Sequence, residues 1–240
     1  MQLMTPPKLI LFDVDGTLVD TAGAGRRAME RAFGEVFGVE VFERGAHVAY
    51  AGRTDPEILE STAEALGLQD SFGIRRPELL EAFVRQVEAE MRRPDDRRRA
   101  LPGVPELLEA LQTMDGVHLG LITGNMEPGA RAKLEPFRLN RFFPAGGFGS
   151  DAADRGKIAE IACRRLSDLT GIAFDARQVT VVGDTEHDVD CARANGFRAV
   201  AVDSGWVSRE SLERARPDVL LDNLSDRPRV LRAFELDQLS

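Results

Sequence analysis

Cysteine is nearly absent from this 240-residue chain, which has only Cys163 and Cys191. Both fall in helical patterns among small and apolar residues. Neither has metal-ligand spacing, so both read as buried small hydrophobes. Histidine is almost as scarce, and His47, His118 and His187 show no ligand spacing either. No apolar run is long enough to span a bilayer. Met1 to Lys8 lacks a charged segment followed by a long apolar region. The reading is therefore no transmembrane span, no signal peptide and a cytoplasmic location. An excess of positive charge is also missing, with 31 Lys and Arg against 40 Asp and Glu and a net charge of −9. That balance argues against nucleic acid or an anionic membrane as the main partner. Internal repeats and low-complexity segments are absent as well.

What is present is an ordinary globular profile, 43% hydrophobic and 30% charged. The length suffices for one large or two small domains and a sizeable core. The most informative stretch is Leu9-Ile10-Leu11-Phe12-Asp13-Val14-Asp15-Gly16-Thr17-Leu18. Its apolar run is too short for a typical helix and reads as a buried strand of a parallel sheet, over residues 8–13. The run ends in two carboxylates spaced i, i+2, where open α/β sheets bind ligands. Two acids held there are costly unless a cation joins them. Oxygen-only ligands favour a hard cation such as Mg²⁺. Gly16 lets the backbone turn close to a ligand, and Thr17 adds a hydroxyl and an N–H.

Between Thr21 and Leu101 no convincing strand appears. Helical periodicity marks Ala22–Phe37, Pro56–Leu66 with Gly67 as its stop, and Pro77–Met91. Arg92 to Arg99 contains a helix breaker and reads as a solvated linker. From Leu101 onward the pattern alternates. Helices are expected at Val104–Met114, Gly129–Phe137, Gly156–Leu169 and about Asp188–Asn195. Strands are expected at Val117–Ile122, Gly147-Phe148, Gln178–Val182, Ala199–Val202 and Val219–Leu221. This βαβ rhythm predicts an α/β fold, a Rossmann-like doubly wound parallel sheet core with an inserted all-helical cap domain. The core takes residues 1–17 and 101–240, and the cap takes 18–100.

Two further strand ends carry polar residues. Thr123-Gly124-Asn125 follows Val117–Ile122 and can bind phosphate oxygens through O–H and backbone N–H groups, or can simply cap the next helix. Gly183-Asp184-Thr185-Glu186-His187-Asp188 follows Gln178–Val182. Asp184 and Asp188 lie on one face if a helix starts near Thr185. With Asp13 and Asp15 they form acid clusters at the ends of two separate strands, which a shared metal site explains. A phosphoryl site with so many acids also needs a fixed cation. Arg155 and Lys157, at the start of one helix, are both candidates.

In motif order and strand placement this set resembles the haloacid dehalogenase-like (HAD) superfamily of phosphohydrolases, and phosphoglycolate phosphatases with a helical cap of the first class in particular. The resemblance covers the core, about two-thirds of the chain. It implies Asp13 as nucleophile, Asp15 as general acid/base and Thr123 as phosphate binder. It also implies Arg155 or Lys157 as charge stabiliser, and Asp184 with Asp188 as metal acids. The family's third protein ligand to Mg²⁺ is the backbone carbonyl of the residue at Asp15. The usual Lys-Pro pairing of the third motif is absent here, and Thr-Gly-Asn replaces the Thr-Asn common in phosphoglycolate phosphatases. The implied activity is a Mg²⁺-dependent phosphatase acting on a small phosphorylated metabolite, phosphoglycolate-like or a sugar phosphate. The alternatives are a phosphomutase, a dehalogenase, a signalling receiver module and a catalytically silent phosphate binder. The inserted block faces the leaving group, and Arg53, in the polar turn Ala51-Gly52-Arg53-Thr54-Asp55, is its candidate specificity residue.

Overall fold

A computed structural model describes residues 6–45, 48–204 and 206–236; His47 lies outside them. Strand β1 (Lys8–Phe12) buries four successive apolar residues and pairs in parallel with two later strands, β4 (Val117–Ile122) and β6 (Val179–Gly183). Because neighbouring side chains on a strand point to opposite faces, Ile10 and Phe12 join one hydrophobic cluster and Leu9 and Leu11 the other. The six-stranded sheet is completed by β5 (Gly146–Gly147), β7 (Arg198–Val202) and β8 (Val219–Leu221), in the order β5-β4-β1-β6-β7-β8, all parallel. The chain winds outward from β1 first on one side and then on the other. The carboxyl end of β1 is therefore the switch point, where such sheets leave a crevice.

Helices α4 (Val104–Gln112), α5 (Glu127–Leu134) and α9 (Arg227–Ala233) feed the first cluster. Helices α6 (Arg155–Thr170), α7 (Glu186–Ala194) and α8 (Arg209–Ala215) feed the second. Phe12 makes edge-to-face contacts with Phe143 and Phe234 at 6.0 and 6.1 Å, which ties the last helix to the central strand. Cys191 is buried in the second cluster, and Cys163 packs against it half-buried.

The insertion is helical. Helices α1 (Ala24–Phe37), α2 (Asp55–Ala65) and α3 (Gln69–Arg92) bury their apolar faces in a third cluster. A two-stranded antiparallel ribbon, β2 (Val19–Asp20) with β3 (Arg99–Ala100), joins this unit to the sheet. Three features depart from the sequence reading, the first being this ribbon, because β3 falls within the block read as strand-free. Helix α3 starts eight residues before Pro77 and runs through it. Phe72 is buried in the same cluster as Leu79 and Phe83, so the turn before Pro77 is anchored by packing. The segment before β3 is also more than a solvated linker. Buried Glu90 accepts from Arg27 Nε and Arg93 Nη1, both at 2.7 Å, and also pairs with Arg31. Arg98 closes the group with a buried side chain 3.8 Å from Glu90. Among the described residues, no helix is long and apolar enough to cross a membrane.

Candidate active site

The acids expected at the strand ends meet. Carboxylate oxygens of Asp13, Asp184 and Asp188 all lie within 4.8 Å of one another, and all three residues are buried. Asp13 directly follows β1. Asp184 directly follows β6 and accepts from Ser204 Oγ at 3.1 Å and Thr17 Oγ1 at 3.5 Å. Asp188 is the third residue of α7, where it completes a capping box with Thr185, whose Oγ1 donates to it at 2.7 Å and whose N–H at 3.1 Å. Burial, reinforced by Asp188, pushes the Asp13 carboxyl up to about 7. Burial, reinforced by Asp13 and Asp188, pushes Asp184 up to about 8. Three oxygen donors that resist ionising together suit a hard divalent cation, so the donor set fits Mg²⁺.

The two candidate cations are placed differently. Arg155, first residue of α6, has a buried side chain that pairs with Asp188 and lies 3.6 Å from Asp13. Its buried Nε has no protein partner among the described residues. Lys157, two residues on, is exposed, and the structure does not bring it to the acids. Its backbone N–H donates to the Asp154 side chain that caps the helix.

Asp15 occupies different surroundings. Its side chain is not in the acid cluster, so the side-chain share of its expected metal contact is not what the structure brings together. Instead Asp15 Oδ2 accepts from Lys133 Nζ at 2.6 Å and from Asn125 Nδ2 at 2.7 Å. Lys133 also donates to Asn125 Oδ1 at 2.5 Å. Burial lowers the affinity of Lys133 for its proton, but Asp15 and Asp55 outweigh it and hold the ammonium above its usual range. Sequence reasoning missed Lys133. The available signal was a charged residue on the buried stripe of α5, beside Gly129, Ala130 and Leu134.

The expected phosphate binders divide. Thr123 is buried at the end of β4 and lines the central cavity. Its Oγ1 accepts from Asn125 N–H and Nδ2, which leaves its own O–H to donate. Asn125 is a bridge between Thr123, Asp15 and Lys133. Gly16 spends its N–H on Val19 O at 3.0 Å, so that donor is taken. Its role is steric: it has φ +78°, and a Cβ there would run into the Asp184 carboxylate. Thr17 points its hydroxyl at Asp184. Gly124 supplies a close approach, because a methyl there would strike the carbonyl of Arg53 in the insertion.

The insertion is thus seated on the core. Asp55 N–H donates to Gly124 O at 2.8 Å, and Asp55 Oδ2 accepts from Met126 N–H at 2.8 Å. Burial pushes the Asp55 carboxyl up to about 6. Arg53 lines the cavity, but its guanidinium turns back onto α2, donating to Ser61 Oγ at 2.7 Å and Glu57 O at 3.3 Å. Between the two units lies a cavity of about 460 Å³.

Comparison with known proteins agrees with this geometry. A family model described as haloacid dehalogenase-like hydrolase matches residues 10–202. The phosphoglycolate phosphatase of Pseudomonas savastanoi pv. phaseolicola is 28% identical over 223 residues, which cover 91% of this chain and 77% of that protein. The probable phosphatase IndB of Dickeya dadantii is 31% identical over 227 residues, covering 91% and 90%. The crystal structure of a predicted phosphoglycolate phosphatase from Haemophilus somnus superposes with a TM-score of 0.68. It is 21% identical, over 95% of this chain and 99% of that one.

Proposed function

Since the chain belongs to the haloacid dehalogenase-like hydrolase family, we propose that it is a Mg²⁺-dependent phosphatase that cleaves a small-metabolite phosphate monoester through an aspartyl-phosphate intermediate. The phosphatase relatives support the reaction class. The observation that carries the reading is the separation of Asp13 from Asp15. One carboxylate lies in the acid cluster beside Arg155, and the other is held apart by Lys133 and Asn125. Two carboxylates in unlike surroundings can take unlike roles.

Asp13 attacks phosphorus and carries the phosphoryl group. Arg155 and the Thr123 hydroxyl face the charge that develops on the phosphoryl oxygens. Asp15 protonates the leaving alcohol and then takes a proton from the hydrolytic water. Lys133 and Asn125 orient it for both transfers. Asp13, Asp184 and Asp188 would hold the metal, which would offset their charge and supply Lewis-acid polarisation of the phosphoryl group. Residues 18–100 act as the cap over a core of 1–17 and 101–240.

Asp13→Asn tests the reading. With Mg²⁺ and a panel of phosphate monoesters, the wild type should release phosphate, and the variant should lose all turnover while keeping its fold. Normal turnover by the variant would exclude Asp13 as nucleophile.

A further inference from the structure

Much of the cavity lining that the insertion supplies is apolar. Met29, Ile58, Leu59 and Phe83 come from the three helices of the insertion, and Tyr50 and Trp206 complete the lining. Tyr50 and Trp206 are 37% and 50% exposed, two of only four large hydrophobic side chains that are exposed among the described residues. Exposed aromatics that converge on one cavity mark a binding surface. The seated insertion means that this volume belongs to a covered pocket. Pockets of this size take ligands far larger than a two-carbon acid, as cavities of roughly 300–1,000 Å³ hold drug-sized molecules.

Apart from Arg155, each cation that lines the cavity is in contact with another group of the protein. Arg53 gives its Nη2 to Ser61 and Glu57. Arg26 stacks over Phe42, 4.0 Å from the ring centroid. Lys133 is spent on Asp15 and Asn125. A carboxylate beside the phosphate, as in phosphoglycolate, would compete with these contacts and lie against apolar surface.

We propose that the leaving group is the alcohol of a bulky apolar moiety, aromatic or branched aliphatic, with its ring or branch packed between the insertion and Trp206. This rests on the phosphatase reading above, and it sets this chain apart from the substrate in the name of its phosphoglycolate phosphatase relatives.

Two measurements keep the two claims separate. The first is binding of two phosphonates that cannot be hydrolysed, 2-phenylethylphosphonate and ethylphosphonate, by titration calorimetry with Mg²⁺. The second is kcat/KM for 2-phenylethyl phosphate, ethyl phosphate and 2-phosphoglycolate. A buried ring should favour the phenylethyl compound by about tenfold or more in both. Tyr50→Ala and Trp206→Ala, at exposed positions, should narrow that preference. Equal binding of the phosphonates, or phosphoglycolate as the best substrate, would overturn the inference and leave the phosphatase reading standing. Selective phosphonate binding without turnover of any ester would support the apolar subsite and overturn the phosphatase reading.

Discussion

Asp13 and Asp15 are two residues apart, yet one is crowded by carboxylates and the other is held by an ammonium and an amide. The crowding has a consequence for stability. A carboxyl raised from 3.8 to about 7 at Asp13, and to about 8 at Asp184, favours the folded state only while protonated. The metal-free protein should therefore lose stability as pH rises from about 4 to about 8, because the folded state binds more protons across that window. Mg²⁺ should reverse the loss, so the rise in Tm on adding it should be larger near pH 8 than near pH 5. A metal shift independent of pH would contradict the crowded site. Lys133 makes a second prediction. Lys133→Met removes a charge-assisted hydrogen bond worth about 1.5–3 kcal/mol, roughly tenfold to a hundredfold in rate. Alkyl phosphates should suffer more than aryl phosphates, whose leaving groups need less protonation. Equal kcat/KM losses on both would assign Lys133 to the fold or to the phosphoryl group instead of to Asp15. At this scale the sequence displayed its acids because they end apolar strands. It concealed Lys133 and Asp55, whose contacts with Asp15 and Met126 span more than 70 positions.

Helix α6 shows what periodicity could not decide. Arg155 and Lys157 lie within its first turn, and two residues, about 200° of helical rotation, separate a buried charge from an exposed one. Arg155→Ala should cost on the order of a hundredfold in kcat, as for other preorganised charge stabilisers, while Lys157→Ala should stay near wild type. The reverse result would shift the fixed cation to Lys157. Helix α3 illustrates a different failure of local reading. Proline normally opens a helix, so Pro77 suggested a start, but burial of Phe72 extends the helix upstream. An interior proline costs about 3 kcal/mol relative to alanine. Pro77→Ala should raise Tm by a few degrees, whereas an unchanged or lower Tm would favour a helix that begins at Pro77. The ribbon of β2 and β3 was illegible because two-residue strands leave no period to detect.

At the scale of the molecule, the alternation after Leu101 made the parallel sheet readable, since each buried strand is a short apolar run between amphipathic helices. The long strand-free block likewise revealed a helical insertion. How the insertion rests on the sheet was not readable, because it depends on backbone contacts such as Asp55 N–H to Gly124 O. Those contacts cover the switch point and define the cavity where the leaving group would sit. The central claim is covalent transfer to Asp13, and trapping tests it most directly. Asp15→Asn, mixed with an aryl phosphate and Mg²⁺, acid-quenched and digested, should yield one phosphoryl group on the peptide that carries Asp13, because the variant cannot deprotonate the hydrolytic water. Phosphate on another residue, or an unlabelled protein from a variant that still releases the aryl alcohol, would contradict the account.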